Sequence, residues 1–498
     1  MGKPTVLVIL DGYGISEHKE FNATALAKTP NIDALIKKYP NTTLKASEEH
    51  VGLIKGQSGS SEAGHLNLGT GRVIEQDLSV INNAIAKGTF FTHPHFLELT
   101  KYVKENNCSL HFIGMLSDGG IHSHISHLFA LLEFAQHHFL DKVYLHLFLD
   151  GRDVEPQSAK KYLRMLEKQR EKAGTSTVAT IIGRYYAMDS SGNYARTRKA
   201  YDMLVKGRGI LIRDPMEAVN SAYRRRLSDE FVEPTIINQG GLIKEGDAVV
   251  YFNFKSERSK QLIRALTDPK FRDFPVKKLN LNLVSLAEVD PHYNLKIAFP
   301  SPIIKNSLGE VLAGKKIKQL RIAETEKFAY VTTYFNGGME KPFPKEDRIH
   351  IKSPAIQHYD TKPEMSAKKI TDKVIECLKR NKYDFYVVNL CNCDLVGHTG
   401  KLKETIKAVE TVDKCVGKIV EIVEKKKGIA IITADHGNAE EKQDKFGRPL
   451  TSHTLNPVPL IVTKKGKLKT GKLADVAPTI LKLMNIKPPK EMTGKSLF

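Results

Sequence analysis

The sequence contains no tryptophan, only five cysteines in 498 residues, and no apolar run long enough to cross a bilayer. Cys108, Cys377, Cys391, Cys393 and Cys415 form an odd set without a CxxC pair, which argues against a zinc ribbon and against a disulfide framework. No secretory signal precedes the first apolar run. MGKPTV has Val6 where a myristoylation signal needs Ser or Thr, and KSLF does not finish in SKL. A cytosolic protein with no membrane partner is expected. Also missing is a basic tail or an aromatic-basic alternation: 76 Lys and Arg against 56 Asp and Glu leave a formal charge of +20, spread along the whole chain. The densest run, Arg224-Arg225-Arg226, is followed by Leu227-Ser228-Asp229-Glu230 and reads as a solvated surface turn. Nucleic acid is therefore not an expected partner. Phosphorylated acids are better candidates, because a positive field raises their local concentration.

What is present is enough chain for two or three domains. Short β-branched runs alternate with longer amphipathic helical patterns, the mark of an α/β chain with largely parallel sheets. The strands expected are 5–10, 110–116, 143–149, 177–182, 248–254, 384–390 and 428–433, with long helices over 157–174 and 401–427. HLFALLEFAQHHF reads as a helix with its phenylalanines in the core. Ligands of open α/β sheets sit beyond the carboxyl ends of the strands, so the residues just after each strand matter most. Two vocabularies occur there. Near the N-terminus and after residue 384 the tips are acidic and histidine-bearing: Asp11-Gly12, Asp394 in DLVGH, and Asp435-His436 in TADHGN. Between about 110 and 260 they are SDGGIH, DGRD, GRYY and KSER, rich in arginine. That order predicts one domain interrupted by another.

Asp11, Asp394, His398, Asp435, His436 and His453 form a donor set that suits Mn²⁺ or Zn²⁺ better than Ca²⁺. The Asp435-His436 pair can serve two ions where the backbone turns sharply, and Gly437 is expected to allow that turn. Two ions clamp the attacking and leaving oxygens of a phosphoryl transfer and lower the pKa of a bound hydroxyl. A serine from the small-residue stretch GQSGSSEAGH (56–65), expected as a loop without an apolar face, would be the nucleophile. Ser60 and Ser61 both qualify at this point.

The succession GQSGSSEAGHLNLGTGR, SDGGIHSH, DGRDV, GRYYAMD, AETEKFAYVT, CDLVGHTG, TADHGN, SHTLNPVP and EMTGKSLF resembles the cofactor-independent phosphoglycerate mutases of the alkaline-phosphatase-like superfamily, in order, from residue 5 to 498. The resemblance implies an α/β metal domain (1–75 and 304–498) interrupted by an inserted α/β substrate-binding domain (76–303), with a hinge at the two crossings. It implies Ser61 as nucleophile, since Glu62-Ala63-Gly64-His65 sets the register. It implies two Mn²⁺, other divalent ions being acceptable: one on Asp394, His398 and His453, the other on Asp11, Asp435, His436 and Ser61. It implies that a monomeric enzyme interconverts 3-phosphoglycerate and 2-phosphoglycerate through a phosphoserine, with His122, Arg152, Asp153, Arg184, Arg258 and Lys327 contacting the substrate. Asp153, a carboxylate on a basic surface, is the expected general acid/base.

Two positions depart from the family pattern. Ser190 stands where an arginine usually follows Ala-Met-Asp, and Lys255 stands where Asn-Phe is usually followed by arginine. Lysine keeps the charge but loses the planar fork, and Arg196 or Arg198 is a candidate substitute. Gly494-Lys495-Ser496 is not a Walker A loop, because Pro489 occupies the place of its first glycine. His124 and His127 read as polar residues of a helix start. The competing reading is an alkaline-phosphatase-like hydrolase that releases its phosphoryl group to water. A clamp-bearing insert favours the mutase.

Overall fold

The run TVLVIL is buried at every position, which is what a parallel strand covered by helices on both faces requires. In this computed structural model, which describes residues 3–174, 176–290, 293, 295–444 and 446–498, Thr5–Leu10 lies between Phe385–Leu390 and Ile429–Thr433, parallel to both. Outward from Phe385–Leu390 come Gln319–Glu324 and Glu346–Ile351, also parallel. On the other flank Val458–Val462 is antiparallel, followed by Asn41–Lys45 and Gly471–Lys472. The helix Leu402–Lys425 presents Val409, Val412, Val416, Ile419 and Val423 at spacings of three and four, all buried in this core. Each such side chain stabilises the fold by roughly 1.5–3 kcal/mol.

The second sheet is built around Leu110–Leu116, parallel to Val143–Leu149 and Ala248–Tyr251. Ser176–Gly183 continues it in parallel, with a register shift at Leu145/His146, and Asn282–Ser285 extends the other side. The chain divides into two compact units, Met1–Gln76 with Ile303–Phe498, and Asp77–Pro302. Among the described residues no helix is long and apolar enough to cross a membrane.

Several expectations shift in detail. The strand expected to reach 254 ends at Tyr251, because Asn253 offers its side-chain Oδ1 to Met115 N at 2.8 Å in place of its main chain. Gln319–Glu324 was outside the expected set: its buried Gln319, Arg321 and Glu324 hide the apolar signature of a core strand. The helix Ile125–His137 is capped by His124, which accepts from Ser126 N, and His127 is buried against Asn82. Phe134 is in the core, whereas Phe139 lies beyond the helix end and is 81% exposed. Arg224 and Arg225 pair with Glu217 and Glu233 at the surface.

Candidate active site

Three adjacent strands of the first unit end in carboxylates. Asp11 follows Leu10 directly, Asp435 follows Ala434, and Asp394 sits on the short helix Asn392–Gly397 after Leu390. Because Leu10 pairs with Leu390 and Ile9 with Thr433, the three tips arrive at the same level. A pairing of Gly437 with Thr454 brings in the loop that carries His453. The donor atoms of Asp394, His436 and His453 lie within 4.8 Å of one another, and so do those of Asp11, Asp435 and His436. His398 joins the first group, with Nε2 3.2 Å from Asp394 Oδ1 and 3.0 Å from His453 Nε2.

The small-residue stretch is a loop only to Ser60. Residues Ser61–Thr70 form a helix that is almost wholly buried, a correction to the expected loop. Its small residues serve close packing rather than chain freedom: a Cβ on Gly64 would stand 2.5 Å from Asp435 O. Ser60 caps this helix, its Oγ accepting from Ala63 N at 3.2 Å. Ser61, one residue on, turns its Oγ to His436 Nε2 at 3.0 Å and to Lys327 Nζ at 2.6 Å. It also occupies the positive end of the helix dipole, where an anion is favoured.

Lys327 belongs to this cluster and not to the arginine-rich unit. It follows strand Gln319–Glu324 and places Nζ 2.7 Å from Asp394 Oδ2 and 2.8 Å from Asp11 Oδ1. Burial opposes its charge, but Asp11, Asp394 and Asp435 hold the ammonium well above its ordinary pKa. Burial and the neighbouring Asp435 push Asp11 up to about 7 against the pull of Lys327. Asp394 is held well below the carboxylate range: burial works the other way, and Lys327, His398 and His453 prevail. Burial drives His436 down to about 3, which leaves a neutral imidazole able to ligate.

The donor set fits divalent cations. Asp11 Oδ1 and Asp435 Oδ2 are buried without an aligned hydrogen bond, although Lys327 Nζ and His65 Nδ1 stand 2.8 and 3.2 Å away. Close approach without alignment leaves lone pairs for a cation. Behind these ligands stands a layer that sequence reading missed. Asn389 Nδ2 donates to Asp11 Oδ2 at 2.7 Å and to His65 Nε2 at 3.0 Å, so His65 carries its proton on Nδ1, facing Ser61 O and Asp435 Oδ2. Asn438 Nδ2 donates to Asp394 Oδ1 at 2.9 Å. The available signal was position: Asn438 lies in TADHGN itself, and Asn389 in the strand before Asp394.

In the second unit Arg152, Arg184, Arg196 and Arg258 line a cavity of about 50 Å³ together with Tyr185, Met188, Asp189 and Glu230. Arg184 is 3% exposed, with Nη1 2.6 Å from Asp150 Oδ1 and 2.7 Å from Asp153 Oδ2. Burial raises the Asp153 carboxyl above its usual range, Asp150 reinforcing this and Arg184 opposing it. His122 Nε2 is 3.7 Å from Asp153 Oδ2, and burial with the charges of Arg184, Lys255 and Arg258 pushes His122 down to about 3. Arg152 remains largely exposed, 3.7 Å from Glu230. Of the two candidate substitutes, Arg196 lines the cavity, stacked 3.9 Å over the Tyr185 ring and bonded to Asp189 Oδ2 at 2.9 Å. Arg198 does not: it pairs with Asp202 and lines a different hollow.

Known proteins resemble this chain along its whole length. The Metalloenzyme superfamily profile matches residues 3–488. The 2,3-bisphosphoglycerate-independent phosphoglycerate mutase of Moorella thermoacetica is 47% identical over 508 residues, covering 100% of this chain and 99% of that protein. Its counterpart in Acetivibrio thermocellus is 46% identical over 506 residues with the same coverage. The solved structure of Leishmania mexicana phosphoglycerate mutase at low cobalt concentration aligns with a TM-score of 0.77 at 29% identity, over 100% of this chain and 98% of that one.

Proposed function

The chain belongs to the 2,3-bisphosphoglycerate-independent phosphoglycerate mutases, isomerases of the metalloenzyme superfamily, and we propose that it moves a phosphoryl group between O3 and O2 of glycerate through Ser61. The observation that carries this reading is the placement of the Ser61 hydroxyl, 3.0 Å from His436 and 2.6 Å from Lys327 amid three buried carboxylates. Asp394, His398 and His453 would hold one Mn²⁺ and Asp11, Asp435, His436 and Ser61 the other. When bound, such ions lower the pKa of the serine hydroxyl and offset the charge of the transferring group.

The chain's own groups account for the rest. Ser61 Oγ, its proton already lost to solvent, attacks the phosphorus of 3-phosphoglycerate, and the bond from phosphorus to O3 breaks. Asp153, whose carboxyl pKa is raised above its usual range by burial, protonates the departing O3. The glycerate, held by Arg152, Arg184 and Arg258, reorients. Asp153 then accepts the proton of the O2 hydroxyl while O2 takes the phosphoryl group back from Ser61. Lys327 keeps its ammonium against Ser61 Oγ throughout and stabilises the oxyanion of the attacking and leaving serine. Transfer requires the substrate held by the second unit to meet Ser61 of the first. A hinge at the two chain crossings, after Gln76 and after Pro302, is therefore part of the proposal.

The test compares adjacent serines. Ser61→Ala should lower the mutase rate by more than ~10³-fold. Ser60→Ala should keep a measurable rate and cost about 1 kcal/mol of stability through the lost cap. A Ser61→Ala enzyme with parental activity would overturn the assignment.

A further inference from the structure

One carboxylate outside the ligand set touches three of the loops that carry it. Glu440 is 1% exposed, and both of its oxygens are occupied. Oε2 accepts from Gly14 N at 3.1 Å and Asn438 N at 2.8 Å. Oε1 accepts from the Thr454 hydroxyl and from Asn456 Nδ2, the latter at 3.0 Å. Gly14 is three residues beyond Asp11, Asn438 is two beyond His436, and Thr454 adjoins His453. The fourth loop is reached from Lys442, 2% exposed, whose Nζ donates to Gly397 O at 2.9 Å and to Asn438 Oδ1. Gly397 precedes His398, and Asn438 in turn holds Asp394.

This also revises the role expected of Gly437. Its φ is not among the left-handed ones, and what it supplies is room: a Cβ there would stand 2.3 Å from both Glu440 Oε1 and Thr454 Oγ1. A buried carboxylate costs several kcal/mol unless its lone pairs are filled. Here the donors that fill them come from ligand-bearing loops, so the requirement to satisfy Glu440 fixes the spacing of those loops.

We propose that Glu440, assisted by Lys442, is a positioning residue that holds the Asp11, Asp394/His398, Asp435/His436 and His453 loops at metal-binding spacing. The inference rests on the metal-centre reading above. Ligands held by such outer contacts typically lose about 10–100-fold in metal affinity when the contact is removed.

The experiment titrates Mn²⁺ into the full-length metal-free protein, following free Mn²⁺ by electron paramagnetic resonance, with the melting temperature in chelator measured alongside. Glu440→Ala should weaken Mn²⁺ binding ~10–100-fold. Glu440→Gln should fall between Ala and the parent, because its amide oxygen still accepts from Gly14 and Asn438 while the Thr454 hydroxyl can reverse. Glu441→Gln, an exposed neighbour with the same change in charge, should bind as the parent does. If Glu440→Ala does not melt cooperatively, Lys442→Met takes its place and should also bind more weakly. Parental affinity in a folded Glu440→Ala or Lys442→Met overturns the proposal, and so does failure of both to fold, which would make the role purely structural. A parent that binds no Mn²⁺ would instead overturn the metal-centre reading.

Discussion

In the first unit three carboxylates and three imidazoles gather round one ammonium. In the second, four arginines line a small cavity together with Asp189 and Glu230, and Arg184 pairs with Asp150 and Asp153. The first arrangement is a surplus of negative donors with the Lys327 ammonium at its centre, and it calls for divalent charge. The second sets its arginines against Asp150, Asp153, Asp189 and Glu230, and spends Arg184 on holding Asp153 in place. The second unit thus matches its acids with bases, where the first leaves its acids in surplus. Each unit sets one paired charged group at the proposed chemistry: Lys327 at the nucleophile, Asp153 at the substrate oxygen.

The largest test of this contrast is metal removal. Exhaustive chelation should abolish turnover and Mn²⁺ should restore it, because the charge surplus of the first unit then has no counterpart. Undiminished turnover with metal content confirmed as nil would break the comparison. Raising the proton concentration should act in the same direction, since His453, whose pKa is lifted by Asp394 against the effect of burial, takes up a proton in competition with metal.

A second effect, of several kcal/mol, should separate the units by pH. His111, His122, His127 and His146 of the second unit all have depressed pKa values, burial being the first cause in each. The unfolded chain therefore binds more protons than the folded one as pH falls below about 6.5. The stability these histidines contribute is complete above that pH and is lost at up to ~1.4 kcal/mol per pH unit for each one. In the first unit the depressed His436 is opposed by the raised His453, whose contribution is lost as pH rises. Hydrogen exchange of the metal-free protein between pH 7 and about 5 should show the second unit losing protection first. Parallel loss in both units would contradict this.

The smallest effect concerns the arginines. Ser190 is exposed and does not line the cavity, whereas Arg196 does. Arg196→Ala should raise KM by an amount worth about 1.5–3 kcal/mol, one charge-assisted contact. Ser190→Arg should change KM less than Arg196→Ala does. The reverse ranking would show that position 190, and not 196, faces the substrate.

Much of this was legible because it depends on local pattern. Apolar runs that are buried on both faces, such as 5–10 and 143–149, announce themselves, and Asp and His at strand ends mark the metal-binding surface. What stayed hidden depends on contacts distant in sequence. Strand Gln319–Glu324 carries a fully buried Arg321, satisfied in part by Gln319 and stacked near Phe335 and Phe385, which no periodicity discloses. The helix Ser61–Thr70 has no apolar face, because its small residues are chosen to let Asp435 and Phe335 approach. Lys327 enters the sequence reading as a substrate contact implied by resemblance, and only the fold places it at 2.6 Å from the serine.

The central claim is that the phosphoryl group passes through Ser61 and returns to the same glycerate. The direct measurement uses 3-phosphoglycerate labelled in its phosphate, with the enzyme quenched during turnover in the presence of unlabelled inorganic phosphate and no added bisphosphoglycerate. The account predicts label on Ser61, full retention of label in 2-phosphoglycerate, and little free labelled phosphate. Labelled inorganic phosphate as the main product, with no 2-phosphoglycerate formed, would contradict it and leave a hydrolase.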